Sequence, residues 1–198
     1  MRSWLAPILT LLQIFFLSPL WAENNLRLSP AEFDQVKPML CDAETLEQLK
    51  VIKKTCDFES FTAWSEDLDG DAKPERIFFG PSGECGAHGN CPIAILKEEK
   101  GLWKLLNKPG CQDEGCLGWA NAFASEVLPG RTGVFRDLLV GQDLGSFYWT
   151  KDVYQWKDGR YQLKAGSTSY YLVDSDVKLQ KVSKARWEQC QKTGKNCL

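Results

Sequence analysis

Eight cysteines constrain this chain more than any other feature. They fall as four close pairs, Cys41/Cys56, Cys85/Cys91, Cys111/Cys116 and Cys190/Cys197, with 14, 5, 4 and 6 residues between partners. An even count in an exported chain reads as disulfides. Nearest-neighbour pairing gives four short rings. Such rings close easily and each stabilises less than a long one, so they pin local loops rather than tie distant elements together. Cys85, His88, Cys91, Cys111 and Cys116 could also be drawn as a zinc cluster, but the spacing is not that of a zinc finger and an oxidising compartment favours bridges. His88, the one histidine of the chain, reads as a loop residue inside the Cys85–Cys91 ring.

Export is read from the first residues. A basic start at Met1-Arg2-Ser3 leads into Leu5–Leu17, apolar apart from Thr10 and Gln13, and Ser18-Pro19-Leu20-Trp21-Ala22 breaks the run. This is the pattern of a signal peptide over residues 1–22. Its apolar core is short of the roughly 20 residues that span a bilayer. The leader carries one charge, Arg2, so its loss takes the net charge from −2 to −3. A slightly acidic mature chain of 176 residues suits one periplasmic or secreted domain and excludes a nucleic-acid binder. No transmembrane segment is expected once the signal is removed.

Residues 23–58 are expected to be helical. Ser29-Pro30-Ala31-Glu32 has the cap, first-turn proline and acid of a helix start. Pro38 is expected to end that helix early. Asp42 can cap a second helix, with Leu46, Leu49, Ile52 and Cys56 on one face. From residue 59 to 198 the pattern changes to antiparallel β, with a short helix over Lys184–Gln191. The strand Arg76–Phe79 ends at Gly80-Pro81. Pro92–Lys97 and Leu102–Leu106 flank Glu98-Glu99-Lys100-Gly101 as a hairpin. Asp137–Val140 and Phe147–Trp149 follow. Val153–Lys157 and Arg160–Leu163 then flank Asp158-Gly159, the strongest short hairpin signal. The offset from Gly80 to Gly141 is 61 residues, which suggests two related hairpin-containing units. The fold class predicted is mainly β (α+β): a meander of two units, partly propeller-like, with stapled loops.

The chemical motif is Asp67-Leu68-Asp69-Gly70-Asp71-Ala72-Lys73-Pro74-Glu75. Asp67, Asp69, Asp71 and Glu75 fall at loop positions 1, 3, 5 and 9, and the carbonyl of Lys73 at position 7. Calcium takes six to eight hard oxygens and tolerates such crowding. Four acids without a cation repel one another.

Together with the strand Arg76–Phe79, this segment resembles the calcium loop of FG-GAP/VCBS repeats. The resemblance implies an exported bacterial protein with propeller-like units, used in adhesion or envelope binding. Ala72 departs from it, standing where the family has a glycine at positive φ, at a cost of about 1–2 kcal/mol if that conformation is kept. A twelve-residue EF-hand fits less well, since Ala72 and Phe78 stand where it needs Gly and Glu.

Catalytic candidates are thinner. Ser82 and Ser146 lack a nucleophile-elbow context, and Asp113, Glu114, Asp174 and Asp176 are loop acids. Phe147, Tyr148, Trp149, Tyr154, Trp156, Tyr161, Tyr170 and Tyr171 crowd into a short stretch. Most are expected in the core, while Tyr148, Tyr170 and Tyr171 break alternation and could face a glycan or protein partner. The function expected is a non-enzymatic binding or envelope-interaction protein with a structural Ca2+ loop. The alternatives are a small envelope hydrolase using Asp/Glu, or an inhibitor of an extracellular enzyme.

Overall fold

The computed structural model of the chain describes residues 30–41, 46–47, 49–50, 55–112, 114–145, 147–194 and 197. The expected signal peptide, Ser29, and most of the helix expected after Asp42 lie outside the described residues.

Ten strands form one open antiparallel sheet. They are β1 (Thr62–Glu66), β2 (Glu75–Phe79), β3 (Cys91–Glu99), β4 (Leu102–Leu105), β5 (Trp119–Thr132), β6 (Phe135–Asp143), β7 (Tyr148–Lys157), β8 (Arg160–Leu163), β9 (Ser169–Val173) and β10 (Leu179–Val182). Helix α1 (Pro30–Leu40) precedes them and α2 (Lys184–Thr193) follows. The chain is mainly β, as the sequence predicted.

The connectivity repeats. β1 pairs with β2, β2 with β3, and β3 with the short β4. In the same way β5 pairs with β6, β6 with β7, and β7 with the short β8. The beginning of β3 also pairs with β5, at Cys91↔Ala120 and Pro92↔Trp119, and the beginning of β7 pairs with β9. Each unit is thus a four-stranded meander whose third strand hands the sheet to the next unit, and β9–β10 continue the series. Both short hairpins turn where Gly was expected. Lys100-Gly101 have φ of 54° and 81°, and Asp158-Gly159 have 52° and 78°. Positive φ at both central residues gives the tight turn that matches strand twist.

The core lies on both faces of the first unit. Ile77 and Phe79 of β2 and Ile93 and Ile95 of β3 join Leu117, Leu138, Val140, Tyr154 and Tyr161 on one face. The alternate residues Phe78, Ala94 and Leu96 meet Phe33, Val36 and Leu40 of α1 on the other. This explains why β2 and β3 read as unbroken apolar runs: a strand covered on both sides has no solvent face to make polar. Fully burying a side chain such as Phe78 stabilises the fold by about 2–3 kcal/mol.

Two expectations need correction. Pro38 does not end α1, which runs on to Leu40. The Cys41 N–H bonds the Lys37 carbonyl at 2.8 Å, and Leu40 and Cys41 are buried, so packing and the Cys41–Cys56 bridge hold the last turn. Phe147–Trp149 and Val153–Lys157 are not separate pieces, since β7 runs unbroken from Tyr148 to Lys157.

Candidate functional site

The acidic loop joins β1 to β2. Its backbone is wrapped by its own carboxylates. Asp67 Oδ1 accepts the Gly70 N–H at 2.6 Å and Oδ2 accepts the Ala72 N–H at 3.2 Å. Asp69 Oδ1 accepts from the Asp71 N–H at 3.2 Å, and Asp71 Oδ1 from the Lys73 N–H at 2.8 Å. Gly70 and Ala72 both lie at positive φ, 81° and 65°. At Gly70 the positive φ is what favours glycine, since the nearest atom to an added Cβ is the movable end of the Arg131 side chain. Ala72 keeps the left-handed conformation that the sequence motif called for.

Glu75 opens β2 beneath this loop and is 1% exposed. Its Oε2 accepts the Leu68 N–H at 2.7 Å. Burial, and then the nearby Asp69 charge, push its pKa above the usual carboxylate range. Oxygen atoms of Asp67, Asp69 and Asp71 lie within 4.8 Å of one another. Lys73 sits in the same loop, exposed, with its N–H on Asp71.

A residue the sequence reading passed over completes the cluster. Lys97, on β3, bonds Asp69 Oδ2 closely and reaches Asp71 Oδ2 at 2.9 Å and Glu75 Oε1 at 3.3 Å. Its ammonium also lies 5.8 Å from the centre of the Phe135 ring. Burial disfavours the ammonium, but hydrogen bonds to Asp69, Asp71 and Glu75 outweigh it and hold the pKa above that of an ordinary lysine. The hydrogen bond from Lys97 in turn holds Asp71 below the usual carboxylate range, helped by the Lys73 N–H. The signal for Lys97 was present: along β3 it follows Ile93 and Ile95 at period two, so its side chain enters the covered face. A lysine there needs acidic partners.

The second unit braces the loop from the other side. The Arg136 N–H bonds the Leu68 carbonyl at 2.8 Å, and Arg131 Nη1 bonds the Asp69 carbonyl. The Arg136 guanidinium pairs with Glu66 at the end of β1. The β5–β6 hairpin and the acidic loop are therefore one assembly.

Three expected disulfides are formed: Cys41–Cys56, Cys85–Cys91 and Cys111–Cys116. The fourth is not. Cys190 and Cys197 are unbridged, with their thiols in hydrogen-bond contact. Cys190 is buried in the seam where Tyr148 Oη bonds its carbonyl at 3.0 Å, and Cys197 stands beyond the α2 cap, Gly194.

Of the other acidic candidates, Asp174 serves the fold. Asp174 closes the β9–β10 turn by accepting from the Asp176 and Lys178 N–H groups at 2.9 and 2.8 Å and from Gln180. Glu114 is exposed, and Asp113 and Ser146 lie outside the described residues. The Ser82 N–H bonds the Ser60 carbonyl at 2.7 Å in a turn. Tyr148 and Tyr170 do not form an open aromatic surface. Both rings pack on Trp187 of α2, at 6.0 and 5.2 Å. Tyr171 lies instead beside Lys151, whose ammonium is 5.7 Å from the ring centre.

No protein family, curated protein or solved structure matches this chain. Among the described residues, no helix is long and apolar enough to cross a membrane. The fold and site define a disulfide-stapled, antiparallel β protein with an acidic loop that can hold a cation.

Proposed function

We propose that the protein is an exported, non-enzymatic binding protein of the cell envelope, in which the Asp67–Glu75 loop takes a calcium ion as a structural brace. The observation that carries this reading is the convergence of Asp67, Asp69 and Asp71 oxygens within 4.8 Å, above a buried Glu75. The donor set fits the ion, because every candidate ligand is a hard oxygen. Lys97 acts as a stand-in cation. It shows where negative charge is greatest, and its single charge does not balance four carboxylates. Asp67, Asp69, Asp71 and Glu75, with the Lys73 carbonyl, would hold the ion, as the likeness to FG-GAP/VCBS loops implies. Bound there, calcium supplies charge neutralisation and fixes the β1–β2 loop against the Arg131–Arg136 hairpin. Three disulfides support an oxidising, exported setting.

Thermal melting tests the brace. Calcium at about one hundred times its dissociation constant should raise the melting temperature by roughly 5–10 °C over EDTA. Magnesium should do less, because it demands octahedral geometry and keeps its waters. Asp69→Ala should remove the calcium effect. Equal melting temperatures of the unsubstituted protein in EDTA and in millimolar calcium overturn the calcium assignment.

A further inference from the structure

A cleft of about 260 Å³ opens beside the acidic loop, where β2 begins and the far end of β3 runs on past it. Lys73, Glu75, Arg76, Lys97, Glu98 and Trp103 line it. Arg76 stands opposite Leu96 in the β2–β3 pair, and Glu98 follows Leu96 by two residues, so both charged side chains leave the sheet on one face. Trp103 faces Glu98 in register across the β3–β4 pair and shares that face. It is half-buried, resting on the apolar cluster under α1, while Glu98 is exposed.

Two opposite charges stand here without being joined. Arg76 bonds only the neutral Ser65 hydroxyl, and its Nε is buried with no hydrogen-bond partner. It therefore brings a full positive charge with donors to spare. Glu98 forms no ion pair among the described residues. As diagonal cross-strand neighbours, Arg76 and Glu98 stand roughly 7–8 Å apart at the backbone. Lys73 adds an exposed ammonium at the rim.

The surroundings decide which ligand such a pair suits. The single charge of Lys97 does not balance Asp69, Asp71 and Glu75, so a bare anion in the cleft meets the repulsion of the loop behind it. A bare cation meets Arg76. A neutral ligand leaves the charge of Arg76 unanswered. A zwitterion answers both ends, with a carboxylate toward Arg76 and Lys73 and an ammonium toward Glu98. The Trp103 indole offers a large apolar wall to whatever side chain the ligand carries. The volume is below the roughly 300–1,000 Å³ of pockets that enclose drug-sized ligands, so one small molecule fills it.

We infer that this cleft binds a free α-amino acid with an apolar side chain, its carboxylate on Arg76, its ammonium on Glu98 and its side chain against Trp103. An α-amino acid carries both charges on one carbon, and hydrogen bonds between ionised groups are roughly twice as strong as neutral ones. The inference rests on the binding-protein reading above and gives it a ligand class.

The test is saturation-transfer NMR on the full chain, with phenylalanine and leucine as probes at millimolar concentration, in calcium and again in EDTA. Transfer should reach the side-chain protons of at least one of them. Phenylalaninamide lacks the carboxylate and N-acetylphenylalanine lacks the ammonium, so each should bind about tenfold more weakly than phenylalanine, the worth of a hydrogen bond to a charged group. Glycine, with nothing to lay on Trp103, should give no signal. Glu98→Gln, at an exposed position, should keep the melting temperature and weaken phenylalanine about tenfold while leaving N-acetylphenylalanine unchanged. Arg76→Gln should do the same to phenylalanine and leave phenylalaninamide unchanged. Should that variant fail to fold, the two blocked analogues and Glu98→Gln decide. No transfer to either amino acid, equal binding of the blocked analogues, or phenylalanine binding unchanged in Glu98→Gln overturns the subsite. Amino-acid binding without any calcium effect on melting supports the subsite and removes the calcium reading. Calcium stabilisation without amino-acid binding does the reverse.

Discussion

Lys97 Nζ lies 2.9 Å from Asp71 Oδ2, although 26 residues of chain separate the two. The contact ties the middle of the sheet to the loop that enters it. Replacing Lys97 by Met keeps the stem over Phe135 and removes the charge. The cluster is partly open to water, so the loss should fall between an exposed pair and a buried one, at about 2 kcal/mol in EDTA. Calcium should bind the variant more tightly than the unsubstituted protein, because no ammonium competes for Asp69 and Asp71. Isothermal titration and urea unfolding check both parts. A variant that loses stability and gains no calcium affinity would show a loop closed by lysine alone.

The same ammonium sets an alkaline limit. Its folded pKa is raised, so its contribution is complete below about pH 10 and disappears only as pH climbs through the higher folded value. Glu75 acts in the opposite sense on the acid side. A carboxyl whose folded pKa is raised binds its proton more readily when folded, so its ionisation costs stability as pH rises through that region. Glu75→Gln should therefore lose least relative to the unsubstituted protein near neutrality and most at acid pH, where both side chains are neutral. Melting curves from pH 4 to pH 7, at roughly the interval over which carboxylates titrate, measure the difference.

Ala72 adopts φ of 65°, a region that costs an L-residue about 1–2 kcal/mol. Ala72→Gly removes that strain but gives the unfolded chain more freedom, which takes back about 0.4–1 kcal/mol. The net expectation is a gain of about 0.5–1 kcal/mol in urea unfolding. The side chain is exposed, so no packing is lost. A loss of stability would mean that the loop relaxes to negative φ in solution.

Much of this architecture was legible because local rules and tertiary packing agree. Asp158-Gly159 and Lys100-Gly101 fixed two hairpins through positive φ, and the apolar runs of β2 and β3 fixed the central strands. β5 was missed because Pro129 and Gly130 interrupt it and its pairing with β6 slips in register, so no period-two pattern survives. β9 and β10 were missed for another reason: β10 is largely exposed and polar, and takes its place by pairing with β9 rather than by burial. The acidic loop could be read from spacing alone. For Lys97, period two showed only that its side chain enters a covered face; which acids it meets there could not be read, since the loop says nothing about which distant strand will face it. Tyr148 and Tyr170 broke alternation because α2 covers them, and no strand pattern announces a helix that folds back from the end of the chain.

Asp174 holds the β9–β10 turn, and the N–H of Lys178, then Gln180 and the N–H of Asp176, keep its pKa below the usual value. A lowered carboxylate stabilises above the unfolded pKa and stops doing so as pH falls through the folded one. Asp174→Ala should therefore melt below the unsubstituted protein at pH 7. The gap should narrow as pH drops below about 4. A gap that stays constant down to pH 3 would assign the effect to turn geometry rather than charge.

Cys190 and Cys197 touch through their thiols without being joined, and burial raises the pKa of Cys190. Cys190 is buried and Cys197 is not, so Cys197 should meet an oxidant first. With oxidised glutathione, the Cys197 thiolate attacks one sulfur and releases one glutathione thiolate. The Cys190 thiolate then displaces the second, leaving the bridge and two reduced glutathiones. Thiol titration in denaturant should count two thiols before treatment and none after, with peptide mapping placing the new link at Cys190–Cys197. The closed ring fastens the end of the chain to α2, so the melting temperature should rise. A glutathione that stays on Cys197 would show that Cys190 cannot turn out of the seam beneath Tyr148, and that the last pair is held as thiols by the packing of Trp187.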